Sequence, residues 1–187
     1  MVKLDNISKA FGEKRVLDGF SYRFAKGGSY AIVGRSGAGK STLLKLICGV
    51  LKPNGGSVTV ANGARVRMVF QEDRLLPWKT VLENVVLEEG DRDYARRLLS
   101  ELGMAEESDA FPKTLSGGMG RRVAIARALC AKPDVLLLDE PFNGLDADMK
   151  KRAADLIFSE MKGKTVLTVT HDEDALAGYV DGRVELA

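Results

Sequence analysis

Alternation of apolar and polar residues dominates the first third of the chain. Apolar side chains recur at every second position across much of 2–7 and 16–24, and a compact apolar run covers 29–33, so three strands are expected. Turns rich in glycine or charge separate them, Gly12-Glu13-Lys14 and Lys26-Gly27-Gly28. After Gly39 the period changes. Leu43, Leu44, Ile47 and Val50 recur at three and four residues, which predicts a helix ended by Pro53-Asn54-Gly55-Gly56. Short strands follow at 57–60 and 66–70. From 75 to about 103 helical spacing prevails, with Tyr94, Leu98, Leu99 and Leu102 on one face of a helix that begins near Asp91. A helical insertion over about 75–115 is expected. Beyond it come a helix at 118–131, a buried strand at 135–139, a helix at 147–161, a strand at 165–170, and a last helix and strand. Strands alternating with helices imply an α/β protein with a parallel sheet covered on both faces.

Composition narrows the classes. The 187 residues carry 28 Lys and Arg against 26 Asp and Glu, so the net charge of +2 sets up no field for nucleic acid or anionic lipid. With 45% apolar and 29% charged residues, one folded unit over 1–187 is expected and disorder is excluded. The densest apolar stretch, 43–51, is broken by Lys45 and Gly49, so no membrane span is expected. An acidic residue at Asp5 argues against a signal peptide and for a cytoplasmic protein. Cys48 and Cys130 lack metal-ligand spacing and read as ordinary buried thiols.

Three segments carry chemistry. Gly34-Arg35-Ser36-Gly37-Ala38-Gly39-Lys40-Ser41-Thr42 fits G-x-x-x-x-G-K-[ST] between an apolar strand and an apolar helix. Its glycines let backbone N–H groups approach phosphate, Lys40 reaches the β and γ phosphates, and the Ser41 hydroxyl is placed to ligate Mg²⁺. The strand at 135–139 ends in Asp139-Glu140, at the sheet edge where ligands bind in open α/β folds. Asp139 suits Mg²⁺ or its water, and Glu140 suits a general base. Leu115-Ser116-Gly117-Gly118-Met119 opens a helix and offers a second anion cradle, although alone it reads more readily as a helix N-cap with a glycine turn. One nucleotide does not need two cradles in one chain. A head-to-tail dimer, with each ATP between the phosphate loop of one copy and Ser116, Gly117 and Gly118 of the other, resolves the excess.

Taken in order, the phosphate loop, Gln71, LSGGM, strand-DE, Asp146 and His171 resemble the ATP-binding cassette (ABC) family. The resemblance implies a P-loop NTPase fold with a mostly parallel sheet, an N-terminal antiparallel β subdomain and the small helical insertion. It also implies that Phe11 stacks on adenine, that Gln71 senses Mg²⁺ and the γ phosphate, that Asn143-Gly144-Leu145-Asp146 touches the other copy, and that His171 contacts the γ phosphate and orients water. The run from Phe70 to Val85 is most similar to importers of nitrate, sulfonate and taurine type compounds. The implied protein is an ATPase subunit with a membrane permease as partner, held at the inner face of the cell membrane, together with an extracytoplasmic substrate-binding protein. Leu75, Leu76, Pro77 and Trp78 are the expected permease contact, against packing of Trp78 within the insertion. Met119, Asn143 and Gly144 depart from the family's usual residues, and the length leaves no room for a C-terminal regulatory domain. An ABC-type ATPase without a transport partner, and a P-loop kinase or GTPase, are the rival readings.

Overall fold

The computed structural model describes residues 1–87 and 91–186. Residues 88–90 of the expected insertion, and Ala187 at the end of the expected unit, lie outside the described residues. Strands β1 (Val2–Phe11) and β2 (Lys14–Phe24) form an antiparallel hairpin. Both run further than the alternation suggests, because Gly12, at φ 60°, turns the chain tightly enough to pair Phe11 with Lys14. Strand β3 (Ser29–Gly34) leads into helix α1 (Lys40–Ile47). The helix stops before Val50, which is 55% exposed, because Gly49 takes the left-handed conformation that ends helices. Strand β4 (Gly55–Val60) pairs with β1, giving the order β2-β1-β4.

Strand β5 (Val66–Val69) is followed by α2 (Val81–Val85) and α3 (Arg92–Glu101). Helix α4 (Gly117–Cys130), strand β6 (Val135–Asp139), helix α5 (Ala147–Glu160), strand β7 (Thr165–Val169) and strand β8 (Gly182–Leu186) complete the described chain. The second sheet is wholly parallel, in the order β5-β6-β7-β3-β8. The last helix expected from the sequence is instead a single 3₁₀ turn, Asp174–Leu176. Only a dozen residues join β7 to β8, and Gly178 at φ 82° turns the chain back before a second turn can form.

Two apolar cores flank the parallel sheet. On one face Leu136, Leu138 and Val166 pack with α2 to α5; on the other Val135, Leu137 and Leu167 pack with α1 and the antiparallel sheet. The alternation along β6 sends successive leucines to opposite cores while its end delivers Asp139 to the sheet edge. Among the described residues, no helix is long and apolar enough to cross a membrane.

Candidate functional site

Strand β3 hands the chain to the phosphate loop at Gly34, where φ is 147° and a Cβ would stand 2.3 Å from the Leu186 carbonyl oxygen. Only glycine fits. The loop closes at Gly39, which caps α1 at φ 93° without any side-chain cap, so the first-turn amides of the helix are not claimed by a side chain and suit an anion. The Lys40 ammonium is buried and donates to the carbonyls of Gly34 (2.7 Å) and Arg35 (3.0 Å). Ala38 donates its N–H to Arg35 and packs into the core beneath the loop. Gly34, Arg35 and Ala38 thus shape the loop, whereas Ser36, Gly37, Gly39, Lys40, Ser41 and Thr42 face a cleft of about 390 Å³.

The far wall of that cleft is the end of β6 and the residues after β7. Asp139 is 1% exposed, and burial pushes its carboxyl above the usual carboxylate range, opposed by the Ser41 hydroxyl, which donates to Oδ1 at 2.8 Å, and by Lys45, Arg121 and Lys40. A buried carboxylate beside the Ser41 hydroxyl, with Gln71 lining the cleft that Ser41 also lines, is an oxygen donor set of the kind Mg²⁺ takes. Glu140 adopts φ 52°, a conformation rare outside glycine, and its N–H donates to the Val169 carbonyl at 2.8 Å. The turn points its carboxylate at His171, whose N–H donates to Oε2 at 3.3 Å and whose Nε2 lies 3.5 Å from Oε1. The His171 ring itself is 68% exposed. Lys40, Ser41, Gln71, Asp139, Glu140 and His171 are therefore brought together from four separate segments.

Other expected site residues lie elsewhere. Phe11 sits at the tip of the β1–β2 hairpin, half-exposed and outside the cleft lining, with the Lys9 ammonium 5.2 Å from its ring centre. Ser116 caps α4, its Oγ accepting the Met119 N–H at 3.3 Å, and Gly117 is exposed. Gly118 touches the 143–146 loop closely: a Cβ there would lie 2.5 Å from the Gly144 carbonyl oxygen. Ser116, Gly117 and Gly118 do not line the cleft of their own chain. Trp78 is 70% exposed, so it does not serve as a core anchor.

Three residues that organise this region were not singled out in the sequence. Arg121 is 5% exposed and donates to the carbonyls of Phe70 and Gln71. Arg127 donates to those of Asp73 (2.8 Å) and Arg74 (2.9 Å). Asn84, fully buried on α2, donates to the carbonyls of Leu76, Lys79 and Thr80 and accepts the Leu76 N–H, which fixes the loop displaying Trp78. Thr80 and Glu83 cap α2 reciprocally, a T-x-x-E signal that the sequence does carry. The arginines have no such signal, because their partners are main-chain carbonyls.

With this geometry in hand, the ABC transporter family profile matches residues 17–143. An aliphatic sulfonates import ATP-binding protein of Burkholderia cenocepacia is 46% identical over 94% of this chain, and one of Shouchella clausii is 42% identical over 96%. The chain spans 58% of the Burkholderia protein and 74% of the Shouchella protein. A dimeric ATP-binding cassette solved in a post-hydrolysis state with ADP and Pi superposes with a TM-score of 0.91 at 32% identity, covering 100% of this chain and 94% of that one.

Proposed function

The chain belongs to the ABC transporter family, as an ATP-binding cassette, and from that premise we propose that residues 1–187 act as one ATPase unit that hydrolyses ATP between two head-to-tail copies. The observation that carries this reading is the split between the two anion cradles. Phosphate-loop residues, Glu140 and His171 share one cleft, with Asp139 joined to it through the Ser41 hydroxyl, while Ser116–Gly118 lies outside its lining at a helix start. A second copy supplying Ser116, Gly117 and Gly118 completes each site.

In that site the amides of the phosphate loop and the start of α1 hold the phosphates, and Lys40 exchanges its carbonyl partners for phosphate oxygens. Phe11 stacks on the adenine from the hairpin tip. Ser41, Asp139 and Gln71 would hold Mg²⁺, which when bound supplies positive charge to the β and γ phosphates. Glu140 takes a proton from the attacking water as its oxygen bonds to the γ phosphorus. The bond to the bridging oxygen breaks, and ADP departs with the electron pair. His171, adjacent to Glu140, orients that water and the γ phosphate.

The relatives' names support an import role, with an aliphatic sulfonate or a related oxyanion as the transported class. A separate permease is then the membrane partner, and an extracytoplasmic binding protein the source of substrate. The chain itself would lie on the cytoplasmic face. Two surfaces support the permease contact: the exposed Trp78 loop, and an apolar groove of about 310 Å³ lined by Val50, Met68, Phe70, Val85, Leu87 and Ala128 beside the Gln71 segment. Nothing in the charge balance supports nucleic acid as a partner.

The test mixes two defective chains. Lys40→Ala and Ser116→Arg each abolish turnover alone, and mixed at dimer-forming concentrations they regain one intact site and a measurable fraction of the parent rate. A mixture as inactive as either component, with dimers present, overturns the shared site.

A further inference from the structure

Helix α4 grips the Gln71 segment with two arginines that the chemistry above does not use. Arg121 reaches the carbonyls of Phe70 and Gln71 with its two terminal nitrogens, and its Nε lies 3.2 Å from Asp73 Oδ1. Gly120 makes the room, since a Cβ there would stand 2.6 Å from Asp73 Oδ2. Arg127, further along α4, takes the carbonyls of Asp73 and Arg74. Four of the five carbonyls from 70 to 74 are therefore held by side chains of one helix.

A guanidinium buried to 5% exposure is costly unless its donors find acceptors in their fixed planar arrangement. Asp73 offsets part of that cost by its charge, without a hydrogen bond to Nε, and the two terminal nitrogens donate to main-chain oxygens that a surface loop ordinarily leaves to water. Such an arrangement yields a single loop conformation. The loop held in this way presents Gln71 to the cleft, and the helix holding it begins at Ser116.

We propose that Arg121, seated by Gly120 and paired with Asp73, is a positioning residue for Gln71, fixing the glutamine's main chain so that its amide faces the nucleotide cleft and tying that geometry to the helix that carries Ser116. Arg127 is the second clamp on the same loop. The inference rests on the ATPase reading for its catalytic readout, and on loop geometry alone for its structural one.

Arg121→Lys keeps the charge and most of the stem but cannot span two carbonyls and a carboxylate in one plane. For the folded variant kcat for MgATP falls about tenfold or more while KM for MgATP stays within about threefold, the split that marks lost positioning rather than lost binding. The Mg²⁺ concentration for half-maximal nucleotide binding rises. Without nucleotide, amides 71–75 exchange hydrogen about tenfold faster or more, while those of β6 and α1 are unchanged. Asp73→Asn, which preserves shape, gives the same pattern at about threefold.

Parental kcat per folded molecule with parental loop exchange overturns the proposal, as does a lowered melting temperature with kcat per folded molecule unchanged. If Arg121→Lys does not fold, Asp73→Asn decides by the same criteria. If the parent chain hydrolyses no ATP, the ATPase reading fails, and the exchange of 71–75 still decides whether Arg121 fixes the loop.

Discussion

Asp139 and Asp73, beside the cleft, and Glu160 and Asp172, on the helical face, are treated in opposite ways by their surroundings. Burial pushes Asp139 and Asp73 up, and the neighbouring hydroxyl and guanidinium groups offset only part of the shift. Burial would also raise Glu160, but the Tyr94 hydroxyl at 2.6 Å and Arg97 at 2.8 Å hold its carboxyl below the usual range. Asp172 is likewise held low, by Lys150 at 2.5 Å. The difference separates two uses of a carboxylate. Glu160 already owns its cationic and hydroxyl partners and fastens α5 to α3. Asp139 has a hydroxyl where a buried carboxylate gains most from a cation, which suits a group that works only when a ligand arrives.

Four substitutions test that contrast. The largest effect is expected for Glu140→Gln, whose amide still accepts hydrogen bonds but takes no proton. Turnover falls by about 10²–10⁴, roughly 2.7–5.5 kcal/mol of barrier, with ATP affinity retained. Steady-state rates within about threefold of the parent would remove Glu140 from the base role. Next, Asp139→Asn leaves the melting temperature without nucleotide equal to or above the parent's, because a poorly compensated buried charge is gone. The same change weakens Mg²⁺-dependent nucleotide binding by about tenfold or more, near 1.4 kcal/mol. A marked drop in the nucleotide-free melting temperature would place Asp139 with the structural acids instead.

Glu160→Gln does the reverse, lowering stability by about 1–2 kcal/mol in denaturant titration and leaving turnover per folded molecule unchanged. Its sign with pH follows from the depressed value. The contribution is complete above the unfolded glutamate value of about 4.3 and fades as pH falls through the lower folded one, so the gap to the parent closes below about pH 4. A gap that widens on acidification would contradict the pairing. The smallest effect belongs to Trp78→Ala, outside both regions and 70% exposed, which shifts stability by no more than about 0.5 kcal/mol. Its readout is the permease, whose capture from detergent-solubilised membranes is lost. A parental melt with permease capture intact would move the contact to the apolar groove alone.

Contiguous chemistry was legible. The phosphate loop, the strand ending in Asp139-Glu140 and the turn of periodicity at Asp91 all occupy consecutive residues, and the elements lie where the pattern puts them. What pattern could not carry was contact between side chains and distant main chain. Arg121, near the start of a helix, carries no sequence signal of burial, yet it is interior because its acceptors are carbonyls fifty residues away. Asn84 is buried through carbonyls only four to eight residues before it, in a loop whose path the pattern does not give. The last helix failed differently: Ala175, Leu176 and Ala177 have helical character, but Gly178 leaves them no length in which to express it.

The position of β3 has a consequence for how the molecule is made. The strand that feeds the phosphate loop hydrogen-bonds to β7 and β8, more than 130 residues later in the chain, whereas β1 pairs with β2 across a two-residue turn. Loop-closure entropy delays such distant pairings. On a ribosome the antiparallel sheet is free to form early, while β3 waits without either neighbour until the last quarter of the sequence has emerged. A nucleotide held by the phosphate loop therefore stabilises the nascent chain only after β7 and β8 have emerged.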